Sequence, residues 1–118
     1  SFEELESTCD KVALISDGRI VDVCDMNDIN NPEEKEFKIE FNKTADYKKF
    51  LTEGYKTVRL QDEYDQATVR VPSGKTAELL KTLKNYDVKF ISLVPYTLEK
   101  HFKKILFAKS EKENKNVQ

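Results

Sequence analysis

The spacing of apolar positions changes several times along the chain, and each change marks an element. Phe2, Leu5 and Cys9 recur at helical intervals, with Glu3 and Glu4 where a helix dipole favours acids, so the first nine residues predict a short helix. Two β-prone runs follow, Val12-Ala13-Leu14-Ile15 and Ile20-Val21-Asp22-Val23, separated by Ser16-Asp17-Gly18-Arg19. Asp-Gly between such runs is a strong hairpin signal, because both residues tolerate the positive φ of a tight two-residue turn. Four consecutive apolar positions in the first run predict a strand buried on both faces. From Asp25 to Glu36 the sequence D-M-N-D-I-N-N-P-E-E-K-E is polar and broken by Pro32, and it reads as a linker.

After the linker the period becomes two. Phe37, Ile39 and Phe41 alternate with Lys38 and Glu40, the pattern of a strand with one face buried. Asn42 or Thr44 is placed to cap a helix presenting Tyr47, Phe50 and Leu51, which Gly54 ends. Val58 and Leu60 mark the buried side of a second strand and Ala67, Val69 and Val71 that of a third, with residues 61–66 turning between them. A helix offering Ala77, Leu80 and Leu83, with Leu79 beside them, then precedes a fourth strand over Val88 to Val94. Strand, helix, strand, strand, helix, strand predicts an α+β fold of the ferredoxin-like kind, a βαββαβ antiparallel sheet with two covering helices. A last helix follows Pro95, capped by Thr97, with Leu98, Phe102, Ile105 and Leu106 on one side. Beyond Phe107 the apolar period stops, which predicts a flexible tail.

Charge narrows the function classes. Of 118 residues 36% are charged, yet 20 basic and 22 acidic side chains leave a net charge of only −2, which supplies no field for nucleic acid. The third strand, A-T-V-R-V, also lacks the aromatic residues on which ferredoxin-like RNA binders stack bases. No stretch approaches the roughly 20 apolar residues a membrane helix needs, and no basic start followed by an apolar run suggests a signal peptide. Cys9 and Cys24 have no second pair, which favours two small buried hydrophobes in a reducing, cytoplasmic setting over a zinc site.

Three sites invite chemistry. Gly74-Lys75-Thr76 closes like a phosphate-binding loop, but the preceding R-V-P-S supplies no glycine, and Pro72 has no N–H to offer a phosphate. An ordinary strand-to-helix turn is the expectation there. Asp62, Glu63 and Asp65 lie where a hairpin turn collects acids, without the glycine-bearing loop of a calcium site. His101 has no nearby nucleophile in sequence and reads as a surface residue of the last helix.

The sharpest signal is S-F-E-E-L-E-S-T-C-D-K-V-A-L-I-S-D-G-R-I-V, residues 1–21. It resembles the segment directly after the switch histidine in ATP-binding subunits of ABC transporters, in order, spacing and residue type. The matching positions are Glu3, Glu4, Glu6, Cys9-Asp10-Lys11, Val12 to Ile15, Gly18, Arg19 and Ile20-Val21. V-P-Y-T-L-E-K-H-F, residues 94–102, is similar to the ending of the accessory C-terminal domain carried by many bacterial exporter subunits, with His101 where an acidic or apolar residue is more usual.

The resemblance implies that residues 1–25 are the C-terminal remnant of an ATPase domain and 26–35 a linker. It further implies an accessory domain over 36–107, which regulates or dimerises, and a tail over 108–118. The Walker A, Walker B and signature motifs and the switch histidine would belong to a parent protein that uses ATP and magnesium to drive export. That parent would sit at the inner face of the membrane with a permease partner. Asp10 and Gly18 carry over as structural positions, a helix-end anchor and a hairpin turn; no catalytic, cofactor-binding or metal residue carries over. The alternative is a ferredoxin-like domain that senses a small molecule. A β-hairpin deprived of its sheet neighbours predicts folding back or pairing into a homodimer.

Overall fold

Residues 1–116 are described by a computed structural model, in which the chain forms two units. Unit 1 joins residues 1–32 to the C-terminal stretch from Tyr96, and unit 2 comprises Glu33–Pro95. Both are α+β with antiparallel sheets.

Unit 1 opens with α1 (Phe2–Thr8), followed by β1 (Lys11–Ser16) and β2 (Arg19–Asp25), paired as a hairpin. At its turn Asp17 and Gly18 have φ of 53° and 72°, the geometry that Asp-Gly predicts. Burial departs from expectation. Only Val12 and Leu14 of β1 point into a core, while Ile15 is 59% exposed, as are Ile20 and Val23 opposite at 65% and 63%. The supposed linker begins with a helix, α2 (Met26–Asn30), because the Asp25 carboxylate accepts a bond from Asn27 N–H at 2.9 Å and Met26 and Ile29 share one buried face. That apolar pair is masked in sequence by the polar residues around it.

The last helix, α5 (Leu98–Asn116), begins with the Thr97 hydroxyl accepting from Lys100 N–H at 3.2 Å, the cap expected. It belongs to unit 1 and not to the accessory domain over 36–107: Leu98 and Phe102 complete a core with Val12, Leu14, Cys24, Met26 and Ile29. Residues 108–116, expected as tail, continue this helix, and Lys109 reaches Asp17 at 3.8 Å. Residues 117–118 of that expected tail lie outside the described residues.

Unit 2 has the predicted order β3 (Glu34–Phe41), α3 (Thr44–Phe50), β4 (Lys56–Gln61), β5 (Gln66–Pro72), α4 (Thr76–Leu83) and β6 (Val88–Val94). The strands lie β4-β5-β3-β6, all neighbours antiparallel, which is the split βαβ or ferredoxin-like arrangement. Phe37, Ile39 and Phe41 of β3 and Ala67, Val69 and Val71 of β5 face α3 and α4, whose Tyr47, Phe50, Leu79 and Leu83 close the core. On the opposite face Arg70 holds Glu36 at 2.9 Å, Gln66 donates to Glu40 at 3.0 Å and Lys89 pairs with Glu40 at 3.1 Å.

Three local expectations are corrected. Val58 and Leu60 are 44% and 47% exposed, because β4 is an outer strand and its register shifts between Thr57 and Arg59. On α4 the buried pair is Leu79 and Leu83, four residues apart, and Leu80 turns outward. Neither Asn42 nor Thr44 caps α3: Asn42 donates to Asp87 at 2.8 Å and Thr44 to Asp65 at 2.9 Å.

The core of unit 2 carries a pH dependence. The Tyr47 hydroxyl donates to Asp62 at 2.5 Å, that of Tyr86 donates to Glu53, and both rings are buried. Burial, then the bonded carboxylate, raises both phenols, and Tyr86 is pushed up to about 12. The folded chain thus keeps protons that the unfolded chain releases near the ordinary value of 10.0. The stability this confers is complete below that pH and lost as pH rises through about 12. Denaturant midpoints measured from pH 8 to 12 (about neutral phenol to phenolate) should fall more gently for Tyr86→Phe than for the parent chain; parallel curves would refute the assignment.

Candidate functional site

The sites suggested by sequence are occupied with local structure. Ser73-Gly74-Lys75 forms a single 3-10 turn leading into α4, and the Thr76 hydroxyl donates to Ser73 C=O at 3.0 Å. Gly74-Lys75-Thr76 thus forms the strand-to-helix turn expected, with Lys75 exposed. Asp62, Glu63 and Asp65 surround another 3-10 turn, where Asp62 accepts from Tyr47 and Asp65 from Thr44. Asp62 and Asp65 are therefore joints between α3 and the β4–β5 turn.

A cleft of about 440 Å³ in unit 2 is lined by charges that include Glu34, Lys56, Arg70, Lys75 and Glu78. Much of its polar lining is already engaged: Arg70 with Glu36, Tyr55 with Thr82 at 3.2 Å, and Glu53 with Tyr86.

In unit 1 the fold assembles a cluster that sequence spacing does not disclose. Asp22 and Cys24 are two apart on β2 and therefore share a face. Cys24 is 4% exposed, and its thiol donates to Asp22 Oδ2 at 3.1 Å. His101, one turn into α5, places Nε2 2.9 Å from the same oxygen, and its Nδ1 lies 2.7 Å from the Tyr96 hydroxyl. With the imidazole neutral, a phenol that donates to Nδ1 leaves Nε2–H to donate to Asp22, and every group is paired. His101 is therefore not the surface residue expected. The buried reading of Cys24 holds, with Asp22 as its acceptor, while Cys9 is a half-buried free thiol 3.7 Å from the Thr8 hydroxyl.

The electrostatics follow from these bonds. Hydrogen bonds from His101 and Cys24 hold the Asp22 carboxyl below its ordinary value. Burial, reinforced by Asp22, pushes the Cys24 thiol up to about 12, and burial with the nearby Cys24 and Asp22 raises the Tyr96 phenol. A thiol so placed stays protonated near neutrality, and its acceptor is a carboxylate and not the imidazole. The cluster is consequently no cysteine–histidine nucleophile. It does offer three different donor atoms, S, N and O, all within 4.8 Å of one another. The sequence signals this cluster locally only through the i, i+2 pair Asp22/Cys24, since His101 lies 79 residues away from Asp22.

Neither a protein-family model nor a curated protein matches the chain. Among the described residues no helix is long and apolar enough to cross a membrane.

Proposed function

We propose that the chain is the C-terminal part of an ABC-type ATP-binding subunit, with unit 2 as an accessory regulatory module set into it. The parent would hydrolyse ATP with magnesium, lie at the cytoplasmic face of the membrane and couple to a permease. The correspondence over Glu3 to Val21 supports this reading, since the helix, strand, Asp-Gly turn and strand it implies are α1, β1 and β2 in order.

The observation that carries it furthest is the outer face of the hairpin. Ile15 and Ile20 are directly paired and both exposed, with Val23 close by on β2. Such apolar residues gathered on one strand pair are what the core sheet of an ATPase domain would cover. The expected homodimer rests on the same face, which a second copy would cover in the isolated chain. No nucleotide-binding group is assigned within residues 1–116. The small-molecule-sensing alternative has only the cleft of unit 2 behind it, and the engaged lining of that cleft ranks it second.

The test is the sequence encoded ahead of Ser1. A histidine directly upstream and a glycine-rich phosphate loop earlier in the same product are expected, and a product lacking that loop would overturn the proposal. Calorimetry of this chain with Mg-ATP should show no binding at micromolar concentrations.

A further inference from the structure

Three features of Asp22, Cys24 and His101 point beyond a hydrogen-bonded brace. The first is convergence. Sγ and Nε2 both approach one carboxylate, at 3.1 and 2.9 Å, and no pair among the three donor atoms is more than 4.8 Å apart. Donors bound tetrahedrally at about 2.0–2.3 Å stand about 3.3–3.8 Å from one another, so small side-chain adjustments would admit an ion among them.

The second is orientation of the imidazole. A metal-bound histidine is generally fixed by a partner on its other ring nitrogen, and the Tyr96 hydroxyl already occupies that place at 2.7 Å from Nδ1. The third is placement. Cys24 is buried, Asp22 and His101 are partly open, and the three donors come from two elements, β2 and α5, that the core of unit 1 holds together.

We propose that Asp22, Cys24 and His101 form a three-ligand site for a borderline-soft divalent cation, zinc in the first instance. A thiolate selects against calcium and magnesium, which take oxygen ligands, and a mixed S, N, O set suits zinc. Binding transfers the thiol proton of Cys24 to the buffer. The imidazole keeps its single proton but carries it on Nδ1, donating to the Tyr96 oxygen, while Nε2 faces the metal. Thiolate and carboxylate together neutralise the two positive charges of the ion. Solvent reaches the fourth position through the open side of Asp22 and His101. The ion would pin the C-terminal helix to the hairpin, and this inference does not depend on the transporter reading.

Cobalt(II) added to the chelator-treated full chain tests it. One equivalent is expected to give a thiolate-to-cobalt charge-transfer band in the near ultraviolet, which zinc bleaches by displacement. Cys9→Ser should keep the band and Cys24→Ser should abolish it. Asp22→Asn, at a partly exposed position where the fold is expected to persist by circular dichroism, should weaken zinc binding by more than the about 10- to 100-fold that losing a supporting hydrogen bond costs. Tyr96→Phe should fall within that smaller range. Zinc should also raise the melting temperature of the parent chain and not that of Cys24→Ser. Absence of the band, or zinc affinity equal in the parent, Asp22→Asn and Cys24→Ser chains, would overturn the proposal and leave a hydrogen-bonded brace.

Discussion

Replacing Phe50 by alanine is expected to remove about 3–5 kcal/mol from the stability of unit 2, a large share of the roughly 5–15 kcal/mol a domain possesses. Phe50 is 1% exposed and lies at the centre of an aromatic group. Its ring centroid is 5.2 Å from Phe41 and 5.8 Å from Tyr86, and it stacks on Tyr55 at 5.4 Å with an interplanar angle of 11°. Truncation removes these contacts together and leaves a void between α3 and the sheet that rigid neighbours cannot fill. Phe50→Leu refills part of the volume and should recover much of the loss. Denaturant midpoints, followed by near-ultraviolet circular dichroism of the tyrosines, read the effect. A loss below about 1 kcal/mol for alanine would mean that the aromatic group is not the keystone of this core.

Leu98→Ala is expected to cost unit 1 about 2–5 kcal/mol. Leu98 has no exposed surface, and the small core it completes contains Val12, Leu14, Cys24, Met26 and Ile29. Its N–H also donates to Glu6 at 3.3 Å, tying the start of α5 to α1. A core of this size has few other contacts to absorb the loss. Hydrogen exchange should show the amides of β1 and β2 losing protection, while Phe107→Ala, at a position 67% exposed, changes stability by no more than about 0.5 kcal/mol. Equal effects of the two substitutions would show that α5 does not hold the hairpin through Leu98.

The contrast between these positions shows where sequence was readable. Local rules placed the first elements of unit 2, by alternation at Phe37, Ile39 and Phe41 and the period through Tyr47 and Phe50, and the hairpin of unit 1, by its Asp-Gly turn; all act over a few residues. What failed depended on position within the whole. Val58 and Leu60 alternate with polar residues as a buried strand does, yet β4 lies at the rim of the sheet. Leu80 and Leu79 are equally apolar, and only the docking of α4 decides which is inside.

The largest miss was the destination of α5. Its apolar side was legible, but the surface it would meet was some seventy to ninety residues back in the chain. The cluster of Asp22, Cys24, Tyr96 and His101 was hidden for the same reason, since it exists only once that helix lies against β2.

The division of unit 1 has a consequence for how the two units share stability. For Leu98 to meet Leu14, the roughly sixty residues between Pro32 and Tyr96 must close as a loop. Were those residues unfolded, closure would cost on the order of 3–4 kcal/mol in chain entropy. In folded unit 2, however, β3 and β6 are adjacent antiparallel strands with Glu36 opposite Val94, so the two ends of the loop are already side by side. Folding of unit 2 therefore pre-closes the loop on which unit 1 depends, and the two are coupled through the entropy of the connecting chain without requiring any contact between their surfaces.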